Sequence, residues 1–491
     1  MPGAFEIELQ PSPKQLRDFS WSVKLVSDCD SAIENLKPIL VLTLHFVEGI
    51  TKTFELTQEE VCEHFLILQK LHILLLQTFS IFKSAAIIVP SSLLLYGFVE
   101  YVTGNELFQQ NQLMPLLNHA IKPSSLARLS LNLAKYRLLP PLGQSCVEYS
   151  ELKCNVLGME LKNPLGLAAG FDKSKYMCIL FLHFDDVNRL DYGEAINGLR
   201  KSGFGFIEIG TVTPLPQKKD SKSIKYSSDY EVVLNEVCLC FKGYISRGNF
   251  ESAGLGMVHL FVKKAYDRNA TVPLGVNIGR NEVNSSFKTD YSLGVDYFGP
   301  FSNYLVINFG SPNDIKKIAD LQDVLKVNVG SLQRITLDGK IAPKVLIKIY
   351  PDLSESELKT IIKIALDKRY GIDGIIISNF TAYCGDNSGG AIKEDGFVSG
   401  KPLRDISTNC IRNVYRWSQG KIPIIGCGGI SNGLAAYEKI RAGASLVQVY
   451  SSLLLQGFPV IGLIKRELVE CLIRDGFNNV SEAVGADHRK E

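Results

Sequence analysis

With 491 residues, 46% of them hydrophobic and 21% charged, the chain is longer than one hydrophobic core usually serves and too apolar to be disordered. Its 53 basic and 51 acidic residues leave a net charge of +2, which excludes the strong positive field that nucleic-acid binders use to gather phosphates. The 11 cysteines are scattered, and Cys238 and Cys240, one residue apart, fit neither a zinc ribbon nor a redox pair, so free thiols and no metal site are expected.

The first 30 residues mix acids with bases around no apolar stretch, so no secretory signal or import presequence is visible there. Residues 21–26, 39–46 and 53–56 alternate as three strands, with His45 and Cys62 expected in a core. From Thr57 the spacing turns helical: Thr57 is the N-cap, Glu60 completes a capping box, and Val61, Phe65 and Leu68 share a face. Residues 85–102 form an 18-residue, mostly apolar run, a candidate membrane anchor in which Pro90 predicts a kink and Glu100 lies near the end. Residues 105–136 read as two short amphipathic helices around a Lys122-Pro123-Ser124-Ser125 turn. Their apolar faces suit packing on a neighbouring domain or lining a tunnel for a lipid-like molecule.

From Leu161 onward the rhythm becomes eight short apolar runs: 165–170, 206–211, 274–279, 304–310, 345–350, 374–379, 424–428 and 446–451. Continuous apolar strands separated by crossover-length segments imply a parallel sheet, and eight such units imply an α/β fold closed as a (β/α)8 TIM barrel. Polar residues at the strand ends then converge on one mouth: Lys173, Thr211, Asn277, Asn308, Ser311, Lys348, Ser378, Asn379, Tyr450 and Ser451. Two lysines buried there need an electron-rich ligand, because an unpartnered buried ammonium is costly; for Lys348 a structural ion pair is the competing explanation. The Gly428-Gly429 turn after strand seven and Tyr450-Ser451 after strand eight stand where such barrels commonly seat a phosphate.

The segments 163–173 (NPLGLAAGFDK), 203–214 (GFGFIEIGTVTP), 275–279 (GVNIG), 348–353 (KIYPDL), 399–403 (SGKPL), 443–448 (GASLVQ) and 485–488 (GADH) occur in the order found in the membrane-associated, quinone-dependent (class 2) dihydroorotate dehydrogenases, which the chain resembles. The helical segment 106–139 is similar to that class's quinone-tunnel helices. The resemblance implies oxidation of dihydroorotate to orotate in pyrimidine (UMP) biosynthesis, with FMN as cofactor and ubiquinone as acceptor, at the mitochondrial inner membrane. Ser311 stands where the class places its catalytic base, relaying the C5 proton as hydride leaves C6. By position in the pattern, Lys173, Asn235, Asn308, Asn313 and Asn379 would bind the substrate, with Ser246 in place of Asn235 unless the insertion 236–246 begins after that asparagine. Ala169, Gly170, Thr211, Asn277, Lys348 and Ser378 would hold the flavin and its ribityl chain, with Gly400, Gly429, Tyr450 and Ser451 around its phosphate.

Departures from that pattern include apolar insertions at 174–191 and 236–246, one or both of which we read as retained introns in a conceptual translation. Asp314 and Phe380 replace usual threonines, and residues 221–226 lack an expected arginine. Residues 7–70, outside that family, resemble a COMM domain, a small dimerising adaptor module, and so imply a protein partner. Four parts follow: an α+β module (1–75), a hydrophobic membrane segment (76–104), tunnel helices (105–140) and an FMN-binding barrel (141–491). Two other readings stay open: a soluble flavin barrel with another acceptor, and a COMM-type interaction protein carrying an inactive barrel.

Overall fold

The structure is a computed structural model that describes residues 16–27, 36–46, 51–57, 90–101, 105–120, 146–170, 194–217, 243–246, 252–267, 269–281, 287–309, 318–381 and 397–489, with a few single positions between 59 and 129. Contacts divide the chain into two compact units, Met1–Gly97 and Phe98–Glu491.

In the first unit, β1 (Leu16–Ser27), β2 (Leu36–Phe46) and β3 (Thr51–Thr57) form an antiparallel sheet in that order. Its register sets Trp21 opposite Leu42 and Leu42 opposite Phe54, consistent with the alternation of the sequence. Thr57 caps the next helix as expected: its N–H donates to Glu60 Oε2 at 2.8 Å, and Glu60 N–H donates back to Thr57 Oγ1 at 3.4 Å. Of the apolar run 85–102, residues 90–101 are described and helical; the residues before Pro90, on which the expected kink depends, lie outside the described residues. Among the described residues, no helix is long and apolar enough to cross a membrane.

The second unit is built on a closed parallel barrel. Its strands are β6 (Leu165–Leu167), β7 (Phe206–Val212), β9 (Leu274–Ile278), β10 (Tyr304–Phe309), β11 (Lys344–Ile349), β12 (Gly374–Ile377), β14 (Ile424–Cys427) and β15 (Leu446–Val449), which pairs back onto β6. All eight expected strands are present. They are buried on both faces because helices pack outside while side chains fill the interior. The helix Glu355–Leu366 shows how the outer layer is made: Leu358, Ile361, Ile362 and Ala365 fall on one buried stripe, and Ser354 with Glu357 closes a capping box at its start.

Inside the barrel, bulky rings meet glycines. A Cβ on Gly166 would lie 2.3 Å from the Phe206 ring, and one on Gly275 would lie 2.0 Å from Tyr304, so these glycines make room for the rings that fill the N-terminal mouth. That mouth is closed by a hairpin, β4 (Cys154–Val156) and β5 (Met159–Leu161), which turns at Leu157-Gly158 with both residues at positive φ. Leu161 joins Phe206, Tyr304 and Leu446 in one cluster, with Val156, Leu157 and Met159 packed against it. The C-terminal mouth is left to polar residues.

Two features were not expected. β6 stops at Leu167, and residues 168–170 turn instead, with Gly170 at φ 104°. A ribbon pairs β8 (Gly243–Ser246) antiparallel with β13 (Phe397–Gly400), so the end of the apolar insertion 236–246 has a place in the fold; the rest of it, and the insertion 174–191, lie outside the described residues.

Gly166→Ala is expected to destabilise the barrel by about 1–3 kcal/mol through overpacking against Phe206. Gly330→Ala, mid-helix with open space at its Cβ, should stabilise by about 0.4–1 kcal/mol. Urea denaturation of the two variants checks the pair; equal midpoints would count against the packing assigned to Phe206.

Candidate active site

Thr211, Asn277, Asn308 and Lys348 are each the penultimate residue of their strand, β7, β9, β10 and β11. Neighbouring strands bring them to one level, with Asn308 directly opposite Lys348 in the β10–β11 register. They are joined by a chain of hydrogen bonds. Asn379 Nδ2 donates to Asn308 Oδ1 (3.4 Å), Asn308 Nδ2 to Thr211 Oγ1 (3.0 Å), and Thr211 Oγ1 to Asn277 Oδ1 (2.8 Å). Asn277 Nδ2 in turn donates to Glu208 Oε1 at 2.9 Å. Tyr291 OH supports the row from outside by donating to the Asn308 carbonyl at 2.9 Å.

Glu208 is the anchor that sequence reasoning missed. Its side chain has no exposure, and the carboxylate also accepts from Gln448 Nε2 at 2.7 Å. Lys348 Nζ lies 3.8 Å from Glu208 Oε1, with both side chains nearly inaccessible. The ion pair weighed as the competing explanation for Lys348 therefore exists, but at 3.8 Å it is not a hydrogen bond and leaves the ammonium's donors to another electron-rich group. The signal was present: Glu208 interrupts the apolar run Phe206-Ile207-Glu208-Ile209, and strand alternation from the inward Phe206 points it into the barrel. Beneath it, burial and then the charge of Glu208 raise the Tyr304 phenol well above its usual range, so this ring stays protonated. Burial likewise raises the Cys427 thiol, making it a packing residue.

A second cluster forms beside the first. Gly429, at φ 72°, lies so close to Arg404 that a Cβ would come within 2.5 Å of its backbone nitrogen. Ser451 Oγ is 3.1 Å from Ser399 Oγ, and Ser399 precedes Gly400. Ser378 Oγ donates to the Cys427 carbonyl at 3.4 Å, tying β12 to the strand before Gly428. Gly170 N–H donates to the Gly210 carbonyl at 2.8 Å, and a Cβ on Gly170 would meet the Tyr450 ring at 3.5 Å. Thus Gly170, Ser378, Gly400, Gly429, Tyr450 and Ser451 line neighbouring strand ends, with Ala169 beside Gly170. The helices Arg404–Ser418 and Ser451–Gln456 start here without a side-chain cap, which brings the positive ends of two helix dipoles to this cluster, although the Arg404 N–H itself donates to the Lys401 carbonyl. Lys173, Asn235, Ser311 and Asn313 lie outside the described residues, as do Asp314 and residues 221–226.

The arrangement offers a buried cation, a row of amides and a glycine-lined turn, which fits a planar heterocycle carrying an anionic tail. Comparison with known proteins agrees. The family described as dihydroorotate dehydrogenase matches residues 151–472. The mitochondrial dihydroorotate dehydrogenase (quinone) of Mus musculus is 38% identical over 415 residues, covering 83% of this chain and 97% of that protein. The dihydroorotate dehydrogenase (quinone) of Rhodospirillum rubrum is 36% identical, over 69% of this chain and 84% of its own length. A crystal structure of DHODH from Eimeria tenella in complex with ferulenol superposes with a TM-score of 0.61 at 33% identity, covering 74% of this chain and 95% of that one. The chain belongs to the dihydroorotate dehydrogenase family.

Proposed function

We propose that this chain oxidises dihydroorotate to orotate in pyrimidine biosynthesis, with FMN as cofactor and a quinone, ubiquinone, as the electron acceptor, at the mitochondrial inner membrane. The observation that carries this reading is the buried row Lys348, Glu208, Asn277, Thr211 and Asn308, a polar layer that an apolar barrel interior has no use for unless a ligand completes it. FMN, when bound, supplies a hydride acceptor and a relay of electrons to the quinone.

The chain's own residues would do the rest. Lys348 would supply positive charge to a bound flavin ring, while Glu208 keeps the ammonium in place. Thr211, Asn277 and Ser378 would hold the flavin ring and its ribityl chain. Gly400, Gly429, Tyr450 and Ser451 would surround its phosphate, and Ala169 and Gly170 would help hold the flavin ring and ribityl chain. Lys173, Asn235, Asn308, Asn313 and Asn379 bind the carboxylate and ring amides of the substrate, and fix it so that one face of the C5–C6 bond is presented. Ser311 takes the C5 proton and hands it to ordered water as hydride leaves C6; a serine hydroxyl is a poor base in bulk water, so this requires a site from which bulk water is excluded.

The mitochondrial names of the mouse and rice relatives support the location. Access of quinone from the membrane surface is supported by the helix at 90–101, where Leu93, Leu94 and Phe98 are each more than 60% exposed. The helix Met114–Ala120 packs against Ser451–Gln456, a contact that supports a tunnel leading toward the site. The three-stranded N-terminal unit is proposed as a COMM-like module for a protein partner.

Ser311→Ala should lower kcat by about 10²–10⁴-fold with little change in KM for dihydroorotate, measured as quinone reduction in detergent. Wild-type turnover by that variant would sink the assignment. Glu208→Gln, which strands the Lys348 ammonium, should cost roughly 3 kcal/mol of stability, and adding Lys348→Met should recover most of it. Additive losses in that denaturation cycle would mean the two groups do not depend on one another.

A further inference from the structure

Lys439 is a buried cation that the reaction as described does not use. It lies on the helix Gly433–Arg441 that follows the Gly428-Gly429 turn, and its side chain has no exposure. The stem runs over Gly426 of β14, where a Cβ would come within 3.3 Å of Lys439 Cδ. Its Nζ donates to the Arg404 carbonyl at 3.2 Å and to Thr408 Oγ1 at 2.9 Å, and Thr408 Oγ1 itself donates to the Arg404 carbonyl at 2.7 Å. Arg404 is the residue whose backbone presses on Gly429 and which directly follows the Lys401–Leu403 turn after Gly400.

This position is electrostatically unfavourable for a lysine taken alone. The ammonium has lost its water, and it sits in the first turn of the helix Arg404–Ser418, the positive end of that helix's dipole. Neither of its hydrogen-bond partners carries a negative charge. The charged and titratable groups facing it are Cys427 from β14, Arg404, Asp405 and Cys410 from the helix Arg404–Ser418, and Glu438 from its own helix. Of these, Glu438 is engaged by Arg404 at 2.6 Å. An anion at the glycine turn would reverse the balance, since it attracts both the helix terminus and the ammonium behind it.

We propose that Lys439 is a positioning residue for the phosphate cradle: it clasps the start of the helix Arg404–Ser418, whose Arg404 lies against Gly429, to β14, and an anionic phosphate group held at that turn and the Lys439 ammonium stabilise one another. The inference rests on the FMN reading above and adds a residue and a pH dependence to it. Desolvation lowers the Lys439 ammonium to about 7, so it is part-charged near neutrality. Phosphate in the cradle raises that value again. Binding then takes up a proton, and affinity is lost as pH rises above 7; the phosphate is already a dianion throughout that window, so its own titration does not contribute.

The test uses the full-length protein stripped of flavin and titrated with FMN and with riboflavin, which lacks the phosphate, followed by flavin fluorescence between about pH 7 and pH 9. Affinity for FMN should fall roughly tenfold across this window, whereas affinity for riboflavin stays level. Calorimetry in buffers of different ionisation enthalpy should show proton uptake with FMN alone, a measurement that needs no variant. Lys439→Met should bind FMN more weakly at pH 7 and lose the pH slope. Identical pH profiles for the two flavins, or a wild-type slope in Lys439→Met, would overturn the role of Lys439 and leave the FMN assignment standing. Failure to bind either flavin at any pH would overturn both.

Discussion

The meeting of Glu208 and Lys348 inside the barrel is the contact on which the rest of the site leans. Both side chains are almost wholly withdrawn from water, and burying either one alone would cost several kcal/mol. Their positions are not independent choices. Asn277 and Gln448 hold the carboxylate from β9 and β15, so strands on both sides of β7 contribute to its orientation. The same Asn277 begins the row that runs through Thr211 and Asn308 to Asn379, so the geometry of the mouth is transmitted from one buried charge.

The barrel separates stability from chemistry along its axis. At the N-terminal mouth the rings of Phe206 and Tyr304 fill the space left by Gly166 and Gly275, and the β4–β5 hairpin seals it. The Tyr304 hydroxyl is satisfied there by donating to the Ile207 carbonyl at 3.4 Å. One layer higher the interior turns polar, at the residue before the end of β7, β9, β10, β11 and β15. A rigid apolar floor beneath a polar rim is what lets a few amides hold fixed directions without support from solvent.

Much of this was legible in the residues, because barrel strands and their polar tips are local patterns. Eight apolar runs with a polar residue near each end imply the closed sheet, and Thr57 with Glu60 marks a helix start, because a cap is decided within four residues. Glu208 and Gln448 escaped notice because they lie in mid-strand, inside runs that otherwise read as core, and because their use depends on partners more than 60 residues away in sequence. Lys439 was missed for a similar reason: on a helix a lysine normally reads as solvated, and only the packing of Arg404–Ser418 over β14 shows that this one is enclosed. The β4–β5 seal and the β8–β13 ribbon have too few residues to display any period.

That ribbon ties together two excursions from opposite sides of the barrel. β8 belongs to the connection between β7 and β9, while β13 ends on Gly400, at the turn that leads to Arg404. Pairing Gly243 with Gly400 turns the two connections into a strap across the rim. Any lengthening, cleavage or excision upstream of β8 is therefore felt at the glycine turn, through main-chain hydrogen bonds and without any side chain as intermediary.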